Sequence, residues 1–352
     1  MAADGNMREN VLNYYSNVLH SKEDLKTQVC CSTDAMPTYI REVLKEIDDD
    51  IIDRFYGCGS PIPPDLRGLT VLDLGCGTGR DVYILSKLVG REGRAIGIDM
   101  NEDQLAVART HSAKQMEAFG YEKPNVEFLS GQIEDLAAIG IATNSIDVVI
   151  SNCVINLSPD KESVFREIFR VLKPGGELTF SDVFTGRRIP APLQSNSVLQ
   201  GECLAGALYA EDFRRLLRTI GCLDYRVTSN TQIALGNPDI EAMVGNVDFY
   251  STTLRAFKLK HLEDICEDYG QVATYKGSIP EYPHRFTLDD HHDFEAGKPI
   301  LVCGNTASML QDTRFGKHFV VTGNRSVHFG PFSCDTLAAN NPGSQEKLGP
   351  CC

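Results

Sequence analysis

The sequence predicts an α/β fold built on a doubly wound, mostly parallel sheet, with a helical extension before it and a smaller α+β region after it. Three observations predict this. From residue 69 onward, short apolar runs alternate with helix-length segments, the pattern of a parallel sheet covered on both faces. The first apolar run leads straight into a glycine-rich turn and a helical segment, as in α/β folds that bind ligands beyond the carboxyl ends of their strands. The chain has 352 residues, 42% of them hydrophobic, enough for one large core with additions but few for three independent domains.

Residues 9–28 and 36–55 read as two polar-faced helices, the second carrying Ile40, Val43, Leu44, Ile47, Ile51 and Ile52 near one face. Tyr56, Gly57, Cys58 and Gly59 end them, and Pro61, Pro63 and Pro64 forbid continuation. Strands are expected at Thr70–Leu74, Ala95–Ile98, Val126–Leu129, Ile146–Ile150 and Glu177–Phe180. Helices are expected between them at Arg80–Val89, Glu102–Phe119 and Lys161–Leu172, the last stopped by Pro174-Gly175-Gly176. After Asp182 a loop with Pro190 and Pro192 runs to Leu208, followed by a helix at Glu211–Ile220 and strands at Tyr225–Thr228 and Thr231–Leu235. Further strands fit Ser251–Lys258 and Ile300–Cys303, and residues 340–352 have the composition of a disordered tail. The expected organisation is an extension at 1–60, a core at 61–235, a C-terminal region at 236–339 and a tail at 340–352.

A net charge of −14 and a pI near 5.0 disfavour a phosphate backbone or an anionic lipid surface as partner. The basic clusters, Arg187-Arg188 and Lys258-Leu259-Lys260-His261, are too short to reverse that. Met1–Asn10 has no apolar leader, and no apolar run approaches the ~20 residues of a membrane span. A cytoplasmic protein with neither nucleic acid nor membrane as partner is expected. Twelve cysteines are then mostly thiols, and none stands in a CxxC, which argues against a zinc ribbon or a thioredoxin-like motif.

The turn reads Val71-Leu72-Asp73-Leu74-Gly75-Cys76-Gly77-Thr78-Gly79-Arg80. Glycines let the backbone pass close under a ligand, and the helix start offers free N–H groups. The spacing is G-x-G-x-G, where a dinucleotide site would have G-x-G-x-x-G. Asp73 beside the turn is wrong for a pyrophosphate and suits a cationic ligand such as a sulfonium. Asp99, in Gly97-Ile98-Asp99-Met100 at the tip of the next strand, is set to accept two hydrogen bonds from a ribose diol. Gly131-Gln132-Ile133-Glu134-Asp135 offers a polar turn for an adenine edge, and Ser151-Asn152-Cys153 follows the fourth strand.

With Val171-Leu172-Lys173-Pro174-Gly175-Gly176, these motifs make residues 60–235 similar to the class I, Rossmann-like methyltransferases. The resemblance implies S-adenosylmethionine as cofactor, held by Asp73, Gly75, Cys76, Gly77, Asp99, Met100, Ile133, Glu134 and Asn152, with Tyr56 as an aromatic cover.

Three stretches go further: Phe55-Tyr56-Gly57-Cys58-Gly59, Ser151-Asn152-Cys153-Val154-Ile155-Asn156-Leu157, and Gly201-Glu202-Cys203-Leu204-Ala205-Gly206-Ala207-Leu208-Tyr209. In this order they resemble the arsenic(III) methyltransferases. That resemblance implies that Cys153 and Cys203 are permanent arsenic ligands. It also implies that Cys58 and an N-terminal cysteine, Cys30 by position, take part in ligation and disulfide chemistry. Arsenite and methylarsenite become the expected substrates, thioredoxin or glutathione the expected thiol reductant, residues 1–60 a lid, and residues 236–339 a region that helps close the arsenic site. Soft trivalent arsenic prefers thiolates, three of which neutralise it and leave a lone pair as nucleophile. Each thiol loses its proton on binding, so no dedicated base is expected.

Other readings fit the same cofactor motifs. A carbon or oxygen methyltransferase would use Cys153 and Cys203 only for packing, and an arsenic-binding protein would keep the fold without turnover. Cys222, Cys266, Cys303 and Cys334 read as small buried side chains, Cys76 as a small residue in the turn, and Cys351-Cys352 as an oxidation-prone end. Asp289, Asp290, His291, His292 and Asp293 read as a solvated loop rather than a metal site, since adjacent residues on an extended segment point apart.

Overall fold

The computed structural model describes residues 2–14, 27, 36–55 and 57–333. Helix α1 (Ala2–Asn13) is followed by α2 (Thr38–Leu44) and α3 (Asp49–Ile52). The single helix expected over 36–55 is split because Asp48 takes an extended conformation and its carboxylate accepts from Asp50 N at 3.2 Å, an N-cap that starts a new helix. Of the helix expected over 9–28, residues 15–26 and 28 lie outside the described residues, and Thr27 is a bend.

The core follows the expected order: β1 (Thr70–Leu74), α4 (Arg80–Val89), β2 (Arg94–Asp99), α5 (Glu102–Phe119), β3 (Val126–Ser130), β4 (Ile146–Asn152), α6 (Lys161–Val171) and β5 (Leu172–Thr185). Lys173-Pro174-Gly175-Gly176 does not separate helix from strand: β5 starts at once, bulges against β4 between Ile146 and Val148, and runs on. Two short helices, α7 (Ala191–Gln194) and α8 (Ser197–Gly201), occupy the stretch expected to be loop. Then come β6 (Leu208–Tyr209), α9 (Ala210–Thr219), β7 (Tyr225–Gln232), α10 (Pro238–Val244) and β8 (Phe249–Phe257). The two strands expected at Tyr225–Thr228 and Thr231–Leu235 are the one strand β7, bulged between Val227 and Ser229.

These strands form one mixed sheet ordered β3-β2-β1-β4-β5-β8-β7, with β6 beside β5. Strands β1 to β5 pair in parallel and β8 is antiparallel to both β5 and β7. The sheet thus draws in β8 from beyond residue 235, where the core was expected to end. Alternation along β1 sends Leu72 and Leu74 into an apolar layer with Phe165 and Ile168 of α6, and Val71 into the opposite layer with Val82, Leu85 and Leu105. The amphipathic helices therefore close both faces and leave the carboxyl ends of the strands as the open edge.

The rest forms a smaller unit: β9 (Glu267–Asp268), β10 (Gln271–Tyr275), β11 (Arg285–Thr287), β12 (Asp293–Glu295), β13 (Pro299–Val302), α11 (Gly304–Gln311), β14 (Phe319–Thr322) and β15 (Gly330–Pro331). Its core gathers Phe257, Tyr275, Phe286, Phe294, Phe315 and Phe319. The segment read as a solvated loop is partly internal. Asp289 and His292 are 2% and 3% exposed, and Asp289 pairs with buried Arg226 at 3.3 Å, which also meets Asp224 at 2.7 Å. Burying the Arg226 guanidinium requires these carboxylates, which is what pulls the loop inward.

Candidate active site

A cleft opens at the carboxyl ends of β1, β2 and β4. Asp73, Gly75, Cys76, Gly77, Asp99, Met100, Ile133, Glu134 and Asn152 all line it, although they span 80 positions of chain from Asp73 to Asn152. Tyr56 lies outside the described residues, while its neighbour Phe55 borders the cleft and carries the Arg80 guanidinium on its ring. Gly75 has φ +73°, and a Cβ there would drive into the Val154 side chain, so a bare α-carbon is required. Asp99 closes the turn from the second strand, accepting from Gly77 N and from Asn101 N, each at 2.8 Å.

The electrostatics of the cleft are those of a site that wants a cation and hydroxyl donors. Burial pushes the Asp73 carboxyl well above its usual range, and the nearby carboxylates of Asp81 and Asp99 push it further. Burial likewise raises Asp99, against the backbone N–H groups that oppose the rise. A sulfonium with an ammonium tail would relieve Asp73, and a ribose diol would satisfy the remaining lone pairs of Asp99. The residues present therefore fit S-adenosylmethionine. Asp81, buried and paired with Arg80 at 2.6 Å, belongs to this set and was not read from the sequence. Its helical position gave no signal apart from following the glycine turn.

Beside this cleft, and sharing Cys153 with it, is a cysteine cluster. Cys153 follows the last residue of β4, and Cys58 comes from the proline-flanked loop before β1. Their sulfurs are joined in a disulfide with Cα atoms 5.9 Å apart. The thiols expected at these two positions are thus the oxidised pair. Buried Cys203, in the turn after α8, donates from Sγ to the Cys153 carbonyl at 3.5 Å. Among the described residues four non-glycines have left-handed backbones, and two of them are Cys153 (φ +55°) and Cys203 (φ +59°). Cys30, the fourth expected cysteine, and Cys31 lie outside the described residues.

The positioning is redundant. Asn152 Oδ1 accepts from Cys58 N at 3.1 Å and its Nδ2 donates to Gly59 O at 2.8 Å, pinning the Cys58 loop to β4, while Ser251 Oγ of β8 donates to the Cys58 carbonyl. Asn152 thus borders the cofactor cleft and also positions the backbone that carries the Cys58 sulfur. Leu235, Ile240, Val244, Val247 and Phe249 pack around the three cysteines and keep the cluster apolar.

Two carboxylates here escaped sequence reading. Asp182 lies on β5, where pairing of Asn152 with Ser181 brings it abreast of Cys153, and one of its oxygens forms a group within 4.8 Å with the Cys58 and Cys153 sulfurs. It accepts from Asn156 N at 3.0 Å and Val183 N at 2.9 Å, yet burial raises its carboxyl from the ordinary 3.8 to about 7. Glu202, fully buried beside Cys203, holds the N-terminal segment: Tyr14 Oη donates to it at 2.5 Å, and Thr27 donates through N at 2.9 Å and through Oγ1. Helix α1 also borders the cofactor cleft through Arg8, Val11 and Leu12, with Arg8 paired to Glu134 at 3.2 Å.

Residues 65–221 match the model of a methyltransferase domain, and residues 269–344 match that of the arsenite methyltransferase C-terminal domain. The arsenite methyltransferase of Aquipseudomonas alcaligenes is 50% identical over 93% of this chain and 94% of its own length. The chain belongs to the arsenite methyltransferase family. The mouse arsenite methyltransferase is 43% identical over 90% of this chain and 84% of its own. Among solved structures, the arsenic(III) S-adenosylmethionine methyltransferase of Chlamydomonas reinhardtii superposes with a TM-score of 0.83 at 49% identity, covering 85% of this chain and all of that one. Family membership makes the chain an enzyme, a methyltransferase on a class I core, and accounts for the acidic, glycine-floored cleft. No helix among the described residues is long and apolar enough to cross a membrane.

Proposed function

We propose that the chain methylates trivalent arsenic held by the thiolates of Cys58, Cys153 and Cys203, forming mono- and dimethylated arsenic and S-adenosylhomocysteine in arsenic detoxification. The observation that carries this reading is Cys153, which borders the cofactor cleft and bonds within the cysteine cluster. When bound, S-adenosylmethionine supplies an electrophilic methyl group on a sulfonium. Asp73 and Asp99 would hold its cationic and ribose parts, Ile133 and Glu134 would serve the adenine side, and the Gly75 to Gly77 turn would allow close backbone approach.

The Cys58–Cys153 disulfide must first take up two electrons and two protons, from thioredoxin or glutathione in the cytoplasm, to free the thiols. Arsenite then exchanges its hydroxyls for sulfurs, each thiol proton leaving with a hydroxyl as water. Asp182, buried beside the Cys58 and Cys153 sulfurs, takes up such a proton and hands it on. Three sulfur ligands leave one lone pair on arsenic, facing the cleft that Cys153 shares. Holding the reactants in line supplies about 7 to 11 kcal/mol of barrier lowering in a preorganised displacement of this kind. The apolar wall from Leu235 to Phe249 excludes water, and Asn152 and Ser251 keep Cys58 in register.

The test is arsenic speciation together with S-adenosylhomocysteine formation, on wild type and Cys153→Ser incubated with arsenite, S-adenosylmethionine and excess thiol. Methylarsenic from wild type and none from the variant is expected. No arsenic-dependent turnover by reduced, cofactor-binding wild type would sink the assignment and redirect the search to organic acceptors.

A further inference from the structure

Helix α1 meets two different sites with two sides of its surface. Arg8, Val11 and Leu12, spaced three and four apart as one helix face requires, line the cofactor cleft. Arg8 pairs there with Glu134 at 3.2 Å, and Glu134 also accepts from Ser158 Oγ at 2.7 Å. Asn10, and Tyr14 just past the helix end, are four apart and turn instead to α8 and the residues that lead into Cys203. Asn10 Nδ2 donates to Gln200 Oε1 at 3.2 Å, and Tyr14 Oη donates to Glu202 Oε1 at 2.5 Å. The Tyr14 ring lies against Gly201, where a Cβ would come within 2.7 Å of it. Gln200, Gly201 and Glu202 directly precede Cys203, and Cys203 N donates back to the Gln200 carbonyl at 3.3 Å. Of the large apolar side chains exposed among the described residues, Leu12 and Met100 are the two that line the cleft, at 40% and 39% exposure. Leu12 comes from α1 and Met100 directly follows Asp99, so an adenosine group whose ribose meets Asp99 would cover both.

We propose that Tyr14 is a positioning residue: through it α1 ties the Cys203 turn to the adenosine side of the cofactor cleft, so that S-adenosylmethionine and arsenite each tighten the binding of the other. This rests on the reading above, in which the cleft takes S-adenosylmethionine and Cys203 takes arsenic. Adenosine removes the Leu12 surface from water only while α1 is docked, so cofactor binding favours the docked helix. A docked helix brings the Tyr14 hydroxyl to the buried Glu202 carboxylate, a directional, charge-assisted bond that fixes the backbone one residue before Cys203. Cys203 has a left-handed backbone, φ +59°, so a small change in that turn re-aims its sulfur. Arsenic ligated by Cys203 holds the same turn from the other side and so favours the same helix position. Two ligands that favour one arrangement are coupled, by an equal factor in each direction. The Arg8–Glu134 pair gives the helix its second tie on the cofactor side, and the Asn10–Gln200 bond its second tie on the arsenic side.

The test is a thermodynamic cycle by isothermal titration on the full chain, kept reduced with a phosphine. S-adenosylhomocysteine, which has no methyl group to give, is titrated with and without saturating arsenite, and arsenite with and without saturating S-adenosylhomocysteine. In wild type each ligand should tighten the other at least fivefold and by the same factor, within the roughly 5- to 150-fold range of such couplings. Tyr14→Phe keeps the ring on Gly201 and loses the hydroxyl, so its coupling factor should fall below twofold. Leu12→Ala should weaken S-adenosylhomocysteine and lower the coupling factor as well. A wild-type factor below twofold would overturn the proposal. So would a factor equal in wild type and Tyr14→Phe, since a tyrosine that only stabilises the fold would shift both binary affinities and leave their ratio alone. Failure of the underlying reading looks different: one of the two ligands would not bind wild type at all, and the linkage would fall with it. The decisive factor is read on wild type, so an unstable variant does not block the test.

Discussion

Replacing Asp182 by Asn tests whether the carboxyl beside the thiols is held in a costly environment for the sake of its position. Burial raises it from 3.8 to about 7 in the folded chain. A raised acid binds its proton more tightly folded than unfolded, so its favourable share of stability is complete below 3.8 and is lost as pH climbs to about 7. Each unit is worth about 1.4 kcal/mol, so ionising Asp182 costs the fold about 4 kcal/mol at most by pH 8. Asn cannot ionise and escapes this cost. It keeps one acceptor for Val183 N or Asn156 N and turns an amide N–H toward the other, a pH-independent loss of about 1 to 3 kcal/mol. Comparing two pH values removes that constant. Between pH 5 and pH 8 the stability of Asp182→Asn relative to wild type rises by about 3 kcal/mol, because about two units of the shift fall in that interval. The assay is urea denaturation of both proteins, reduced and without arsenic, at pH 5, 6, 7 and 8. A relative stability that stays within about 0.5 kcal/mol across the series refutes the reasoning, and with it the use of Asp182 as a proton acceptor near neutrality.

Other perturbations follow from the same geometry. Gly75→Ala forces a side chain into Val154 at a left-handed backbone position, so S-adenosylmethionine affinity by isothermal titration should fall at least tenfold. Glu202→Ala removes the acceptor for Tyr14 and Thr27, so limited proteolysis should cut the N-terminal segment faster and methyl transfer should slow severalfold, with the core melting within a few degrees of wild type. Arg226→Met leaves Asp224 and Asp289 buried without their shared cation, for a loss of about 3 to 5 kcal/mol in denaturant titration. That loss should shrink toward acid pH: Asp289 is held below its ordinary range by His292 and Arg226 despite burial, so its stabilising share is present above 3.8 and fades as pH falls.

What was legible in the sequence follows the range over which each interaction acts. The strand, glycine turn and helix from Thr70 to Val89 are local, and the observed β1 and α4 have the expected bounds. Asp99 was legible because the tip of a neighbouring parallel strand has a fixed place relative to the turn. Asp182 was not, since its meaning depends on the register of β5 against β4, and β5 enters through a bulge that no local pattern announces. Glu202 stayed hidden for the same reason at longer range, its partners being 175 and 188 positions away. The loop at Asp289 to His292 was misread because a charged run looks solvated until a buried Arg226 from β7 claims it. Local periodicity reports which face is buried; it does not report which buried charge has a counter-charge from another element.

The backbone at Cys153 and Cys203 bears on whether the cysteine cluster is merely packed. A small apolar residue filling a core has no reason to sit at φ +55° or +59°, where a Cβ costs about 1 to 2 kcal/mol that any ordinary turn with glycine avoids. Strain of this kind persists where the side chain's direction matters more than the local cost. Comparing Cys203→Gly with Cys203→Ala separates the two cases, because both remove the sulfur and only one keeps the Cβ. At an unstrained site Gly is less stable than Ala by about 0.5 to 1 kcal/mol, from its larger loss of chain entropy. At Cys203 the left-handed penalty on Ala should cancel or reverse that order, with Gly more stable by up to about 1 kcal/mol in denaturant titration. If Ala proves more stable by the ordinary margin, the backbone there is unstrained, and the case that it was shaped to aim a thiol falls with it.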